Sequence, residues 1–259
     1  MAISLGELFD RHIKPDHQVL CVGTYQGPSH DPSALYASTL VKTGRVWILD
    51  SDSGATRKAL EKAKATGKLK KPVAIELLRR LENLPLKGRG NPERYVREMA
   101  EIKKAGVAMR LPKVRHGTAL ATEFKDKQFD TLIDAGTFMW ASQNTEAINS
   151  KPDGLTNDQR LQKIVDEYDR IANKAIVIGH EYRNIQPWGP VLEDIERKFV
   201  EKGAKVTRLE VSNRYVIPLP KLLLSGPTAA KKKLELDHIY PYDSALVVEF
   251  PARASHRGG

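Results

Sequence analysis

Apolar positions along this chain fall into two alternating spacings, short unbroken runs and runs with helical periodicity. Gln18 to Gly23 is a short apolar run ending in glycine, the pattern of a buried parallel strand that leads into a tight turn. Ser33 to Lys42 then carries apolar residues at helical spacing, with Asp31 or Ser33 as the N-cap and Gly44 just beyond the end. Arg45 to Asp50 returns to the buried-strand pattern. These segments predict a βαβ unit whose two strands are parallel neighbours joined by a right-handed crossover. Downstream, Lys113 to His116 predicts a short strand and Gln128 to Ala135 a stronger one. Thr156 to Asn173 predicts an amphipathic helix, Lys174 to Gly179 a buried strand, and Pro187 to Lys202 a helix closed by Gly203. The last two strand patterns, Lys205 to Val216 and Ser244 to Phe250, are separated by a loop holding Pro218, Pro220, Gly226, Pro227 and the run Lys231 to Lys233. With no helix between them, they are expected to pair antiparallel.

Alternating strands and helices specify a parallel sheet covered on both faces. The expected fold is therefore α/β, doubly wound, with a seven-stranded, mostly parallel sheet and one antiparallel strand. Three helical patterns, Ala55 to Ala65, Pro72 to Leu84 and Pro92 to Ala105, stand where a simple βαβ repeat needs one. Pro92 to Ala105 serves as the crossover helix, and 53–91 reads as an inserted helical module. Residues 1–259 are expected to form a single domain with a disordered tail over 252–259.

Charge sharpens the picture at one place. The net charge is +10, and from Arg57 to Arg115 there are 18 Lys and Arg against 6 Asp and Glu, while the remainder carries 24 against 26. The segment 57–115 thus holds the whole positive excess. It is either a solvated helical face or a surface for an anionic partner such as RNA. No apolar run approaches the roughly 20 residues of a membrane span, and Met1 to His12 lacks the pattern of a secretion signal, so a cytoplasmic location is expected. Cys21 is the only cysteine, which excludes an internal disulfide, and the histidines have no metal-ligand spacing.

Candidate chemistry lies at the strand ends. After the first strand comes Gly23-Thr24-Tyr25-Gln26-Gly27, a glycine loop where a missing side chain lets the backbone approach a ligand. Asp50 ends the second strand about 27 residues further on, where nucleotide-binding folds place a carboxylate for ribose hydroxyls. Then follow His116-Gly117-Thr118-Ala119 and Glu123 to Asp134, with Phe129-Asp130 entering the fourth strand and Asp134 closing it. Together these three places, with five parallel strands and a closing antiparallel pair, resemble the class I (Rossmann-like) S-adenosylmethionine-dependent methyltransferases. Three positions depart from the usual family pattern: Cys21 and Thr118 stand in place of acids, and Tyr25 in place of a glycine.

The resemblance implies that S-adenosylmethionine is the cofactor, held by Gly23, Thr24, Tyr25, Gln26, Gly27, Asp50, Ser51, Thr118, Ala119, Asp134 and Ala135. Methyl transfer from a sulfonium needs alignment of donor and acceptor and exclusion of water, with a base only where the acceptor starts protonated. His180, at a strand end, is the candidate base, with Glu181 orienting it. Phe138, Trp140 and Tyr182 are candidates for the acceptor pocket. Asp134-Ala135-Gly136-Thr137-Phe138 lacks the Pro-Pro-aromatic sequence of exocyclic-amine methylases, and one cysteine in the cofactor strand leaves none to attack a pyrimidine. The expected acceptor is a small molecule. The alternatives are an RNA or protein methyltransferase that grips its partner with 57–115, and a non-catalytic methyltransferase-like binding protein. A nicotinamide-dependent dehydrogenase is the nearest competing fold reading.

Overall fold

The computed structural model describes residues 2–23, 32–42, 44–50, 65, 113–142, 154–180, 192–218, 233–237 and 242–252. Within them the chain runs β1 (Ile3–Ser4), α1 (Leu5–His12), β2 (Val19–Val22), α2 (Ser33–Leu40), β3 (Val46–Asp50), β4 (Lys113–His116), β5 (Thr131–Ala135), α3 (Thr137–Ala141), α4 (Asn157–Ile171), β6 (Lys174–Gly179), α5 (Leu192–Glu201), β7 (Lys205–Ser212), β8 (Arg214–Pro218), β9 (Lys233–Asp237) and β10 (Ser244–Glu249). The helical module expected over 53–91 and the helix of Pro92 to Ala105 lie outside this description, Ala65 apart. So does the tail beyond Ala252.

The apolar runs become strands because a strand buried on both faces has no polar side to alternate. All four residues of β2 are buried, as are Ala175 to Gly179 of β6 and Ser244 to Val248 of β10. The sheet order is β1-β7-β10-β6-β5-β2-β3-β4. From β6 to β4 the neighbours are parallel, whereas β10 is antiparallel to both β6 and β7. This is the expected seven-stranded sheet with one reversed strand, widened to eight by the two-residue β1, which pairs parallel with the end of β7. Right-handed crossovers from β2 outward to β3 and from β5 the opposite way to β6 place α2 and α4 on opposite faces. Around α2 gathers α1, and around α4 gather α3 and α5.

One element is additional to the expectation, and two local expectations are corrected. The N-terminal stretch forms helix α1, started by a capping box in which Ser4 and Glu7 satisfy each other's backbone N–H groups, and it buries Leu5, Leu8 and Phe9. Ser33 is the first residue of α2 rather than its cap; Pro32 is the N-cap and supplies no side-chain bond. The Ser33 hydroxyl instead meets the Tyr215 hydroxyl at 3.0 Å, both residues being fully buried. Lys205 to Val216 is not one strand. It breaks at Asn213, and β8 leaves the main sheet to pair antiparallel with β9, so part of the expected loop is a hairpin. Tyr215 is carried by that departure into an aromatic cluster with Phe9 and Tyr36, ring centroids 5.5 and 5.4 Å away.

Candidate functional site

Because the chain moves from β2 out through β3 and β4 and then returns to β5 on the other side of β2, the winding direction reverses between β2 and β5. In open α/β sheets the crevice for ligands lies at the carboxyl ends of the strands at such a reversal. Gly23 ends β2 there. Its N–H donates to Leu49 O at 2.9 Å and its φ is +74°, a conformation that favours glycine. A Cβ at Gly23 would lie 2.0 Å from Thr137 Oγ1. The close approach is fixed from the other side, since Thr137 Oγ1 donates to Val22 O at 2.9 Å. Thus the turns after β2 and β5 lock against each other, and only glycine fits between them.

Asp134 builds the second turn. It is fully buried, and its carboxylate accepts the Thr137 N–H at 2.6 Å, the Phe138 N–H at 3.1 Å and the Tyr168 hydroxyl. A carboxylate three residues before a short helix satisfies N–H groups that the helix leaves open, and a negative charge is favoured at that end. Tyr168, reaching across from α4, is completely buried, and burial followed by the Asp134 charge holds its hydroxyl proton on well above the ordinary tyrosine range. Gly136 follows with φ +82°; a Cβ there would fall 2.0 Å from the Tyr242 hydroxyl.

Tyr242 precedes β10, and its hydroxyl donates to Ala135 O at 3.0 Å. Its ring lies 5.0 Å from that of His180, which follows β6. His180 is 3% exposed, and its Nδ1 is buried with no hydrogen-bond partner among the described residues. Burial lowers its pKa from the ordinary histidine value, with the charge of Asp243 acting the other way. The backbone of His180 is anchored, its carbonyl accepting Leu192 N–H at 3.2 Å. Across the carboxyl edge the row therefore reads Gly23, Thr137, Gly136, Tyr242, His180.

On the other side of Gly23, β3 ends at Asp50, whose Cα partner is His116 at the end of β4. Thr118 is exposed and its Oγ1 accepts Leu120 N–H at 3.2 Å, while Ala119 is buried. The loop onward to β5 is clamped to α4. Glu167 accepts Thr122 N–H at 2.7 Å, Arg170 donates to Phe124 O at 2.7 Å and to Asp126 at 2.9 Å, and Lys127 Nζ reaches Asp169 O and Ala172 O at 2.7 and 2.9 Å. Lys127 thereby places its charge against the carboxyl end of α4, where a cation is favoured. Burial raises the Glu167 carboxyl, but the hydrogen bonds from Arg170 and Thr122 outweigh it and leave the group below the usual carboxylate range.

Of the residues singled out in the sequence, Gly23, the backbone of Asp50, Asp134, Ala135, Phe138 and His180 stand along this edge or just behind it, with Thr118 and Ala119 following β4. Phe138 is fully buried, and a Cβ on Gly179 would meet its ring at 3.1 Å. Thr24, Tyr25, Gln26, Gly27, Ser51, Glu181 and Tyr182 lie outside the described residues, as does the side chain of Trp140. Phe129 and Asp130 work before β5 begins. Phe129 packs at 4.8 Å from Phe124 within the core, and Asp130 accepts Gln18 N–H at 2.8 Å at the amino end of β2. Sequence reasoning missed Thr137, Tyr168 and Tyr242. An Asp followed three residues later by Thr is a local capping signal for the first, but Tyr242 sits 107 residues from its partner, and nothing local marks it.

Comparison with protein-family models and with curated proteins gives no match. Solved structures do match in outline. The YcgJ protein from Bacillus subtilis is 12% identical, with 96% of this chain and 98% of that one covered, at a TM-score of 0.48. A SAM-dependent methyltransferase from Methanosarcina mazei is 10% identical over 96% of this chain and 99% of its own, at 0.41. Another, from Aquifex aeolicus, is 14% identical over 94% and 86%, at 0.40. The strand order itself, with β10 reversed between β6 and β7, is that of a class I methyltransferase-like fold.

Proposed function

We propose that this chain is an S-adenosylmethionine-dependent methyltransferase with a small-molecule acceptor. The observation that carries the reading is the glycine turn at Gly23, held at positive φ against Thr137 at the reversal point of the sheet. Such a turn gives a ligand access to bare backbone, and a side chain there would fill the space. The described residues fit the cofactor on that ground. In this reading the loop Gly23 to Gly27 holds the methionine end, Asp50 and Ser51 the ribose, Thr118 and Ala119 the adenine, and the Asp134-Ala135 turn flanks the methyl group. When bound, S-adenosylmethionine supplies an electrophilic methyl on a sulfonium. The protein's part is to orient the acceptor and keep water out. Asp134 does this through the turn it caps, because its own carboxylate is engaged by Thr137, Phe138 and Tyr168. Phe138, Trp140 and Tyr182 form the acceptor's apolar surroundings in this proposal.

Nucleic acid is the weaker reading. Of the basic segment, the described Lys113 and Arg115 set their charges over the Trp47 ring, 4.6 and 5.4 Å from its centroid, which is an internal use of both cations. Calorimetric titration with S-adenosylmethionine tests the proposal directly. Saturable micromolar binding is the expected result, and a flat titration overturns it in favour of a methyltransferase-like scaffold without catalysis.

A further inference from the structure

A buried polar atom without a partner costs stability, so a native structure that retains one calls for a reason. Among the described residues His180 Nδ1 is such an atom, and it stands at the carboxyl end of β6, in the row of residues that begins at Gly23. We propose that His180 is the residue that meets the methyl acceptor, and that the acceptor carries a donatable hydrogen on its nucleophilic atom, a hydroxyl or an amine N–H. The proposal rests on the methyltransferase reading above.

Burial disfavours the charged imidazole, and in the neutral form one ring nitrogen carries a hydrogen and the other a lone pair. In this proposal the lone pair is on Nδ1, the tautomer in which a bound donor completes the ring's hydrogen bonding. Only a donor satisfies it. A thioether, an ionised carboxylate or an aromatic ether brings none, whereas a hydroxyl or amine does. Around the ring, Tyr242 supplies a wall and Asp243 is the titratable group whose charge bears on it, favouring the imidazolium formed once a proton is taken up. The Tyr242 phenol packs on the imidazole and is tethered through its hydroxyl to Ala135 O. As the acceptor oxygen's lone pair forms the new bond to the methyl carbon, the electron pair of the breaking S–C bond leaves with sulfur, and the hydroxyl proton passes to His180; an amine is treated alike.

The test uses the full chain saturated with S-adenosylhomocysteine and labelled with 15N in its histidines, His180 being assigned by comparison with His180→Leu. Phenol, aniline and anisole are titrated in turn. An upfield shift of Nδ1 with phenol supports a hydroxyl acceptor, and one with aniline supports an amine, with anisole leaving the resonance unmoved. Silence with both donors, or an equal shift with anisole, overturns the proposal. Thermal melting of His180→Leu gives a second readout. A Tm equal to or above the parent chain's, with S-adenosylhomocysteine binding retained, is expected if the orphaned atom is kept for a ligand; a marked fall in Tm makes His180 a structural residue and overturns it. If calorimetry finds no cofactor binding, the methyltransferase reading fails by itself, whereas bound cofactor beside an unresponsive His180 sinks this inference alone.

Discussion

Removing the Asp134 carboxylate should unpick the site from beneath. In Asp134→Ala three donors lose their acceptor: the Thr137 and Phe138 N–H groups and the fully buried Tyr168 hydroxyl. Loss of a helix-capping side chain costs about 1 kcal/mol. Leaving a buried hydroxyl unsatisfied costs about 1–3 kcal/mol more, toward the upper end for a bond to a charged group. The expected total is about 3–4 kcal/mol, which for a protein of this size lowers Tm by about 6–16 °C. Tyr168→Phe should cost about 1–3 kcal/mol, since it removes one of the carboxylate's bonds without disturbing the turn. Because the two side chains share a bond, the double variant should be less damaging than the sum by about 1–2 kcal/mol. Urea and thermal melts followed by circular dichroism supply all four corners of the cycle. Calorimetry should also find weaker S-adenosylmethionine binding in Asp134→Ala, as Thr137 is what holds the β5 turn against Gly23. A Tm loss below about 3 °C, or strict additivity in the cycle, would refute the reasoning.

Other consequences are equally direct. Gly136→Ala forces a Cβ to 2.0 Å from the Tyr242 hydroxyl at a φ of +82°, and should destabilise the fold by about 2 kcal/mol or more in melts while Gly154→Ala, also at positive φ but with open space around it, costs about 1 kcal/mol. Glu167→Gln should flatten the acid side of the stability profile. The Glu167 carboxyl titrates below its unfolded value near 4.5, so the stability it adds is present above that pH and is lost as pH falls through the folded value. Melts at stepped pH would show the parent chain losing its advantage over the variant below about pH 4.5, and an unchanged difference would contradict the ion-pair account. Tyr215→Phe removes the buried bond to Ser33 and should lower stability by about 1 kcal/mol in melts with no change in far-ultraviolet circular dichroism, since the ring packing with Phe9 and Tyr36 remains.

What could be read in the sequence was whatever depends on local pattern. β2, β3, β6 and β10 are apolar runs because strands buried on both faces must be, and α4 announces itself by its apolar stripe and its Thr156-Gln159 capping box. The reversed pairing of the last strands followed from the missing crossover helix. Less legible were elements whose form depends on remote partners. Helix α1 is only eight residues long and is kept by packing on α2 and β8, its local signals being the Ser4-Glu7 pair and the short apolar stripe of Leu5, Leu8 and Phe9. The break at Asn213 sends β8 to β9, a choice that a run of strand-forming residues cannot express. At the site, the glycine turn and Asp134 were visible as residue types, but the turning of Asp134 toward Tyr168, and the placing of Tyr242 over His180, are set by contacts between distant stretches.

The reversed strand has a consequence for how the molecule is made. β10 occupies the slot between β6 and β7, and β7 joins the parallel strands only through it. On a ribosome, β6 and β7 emerge well before residues 244–249, so the half-built sheet must hold an open seam with two bare edges until its last piece arrives. Edges of that kind recruit strands from other molecules, and a contact closed so late in the sequence slows folding. Assembly of this fold thus resembles setting a keystone: the span is unsupported until the final block drops in, and the row from Gly23 to His180 comes into being at that moment, because Tyr242 arrives with it.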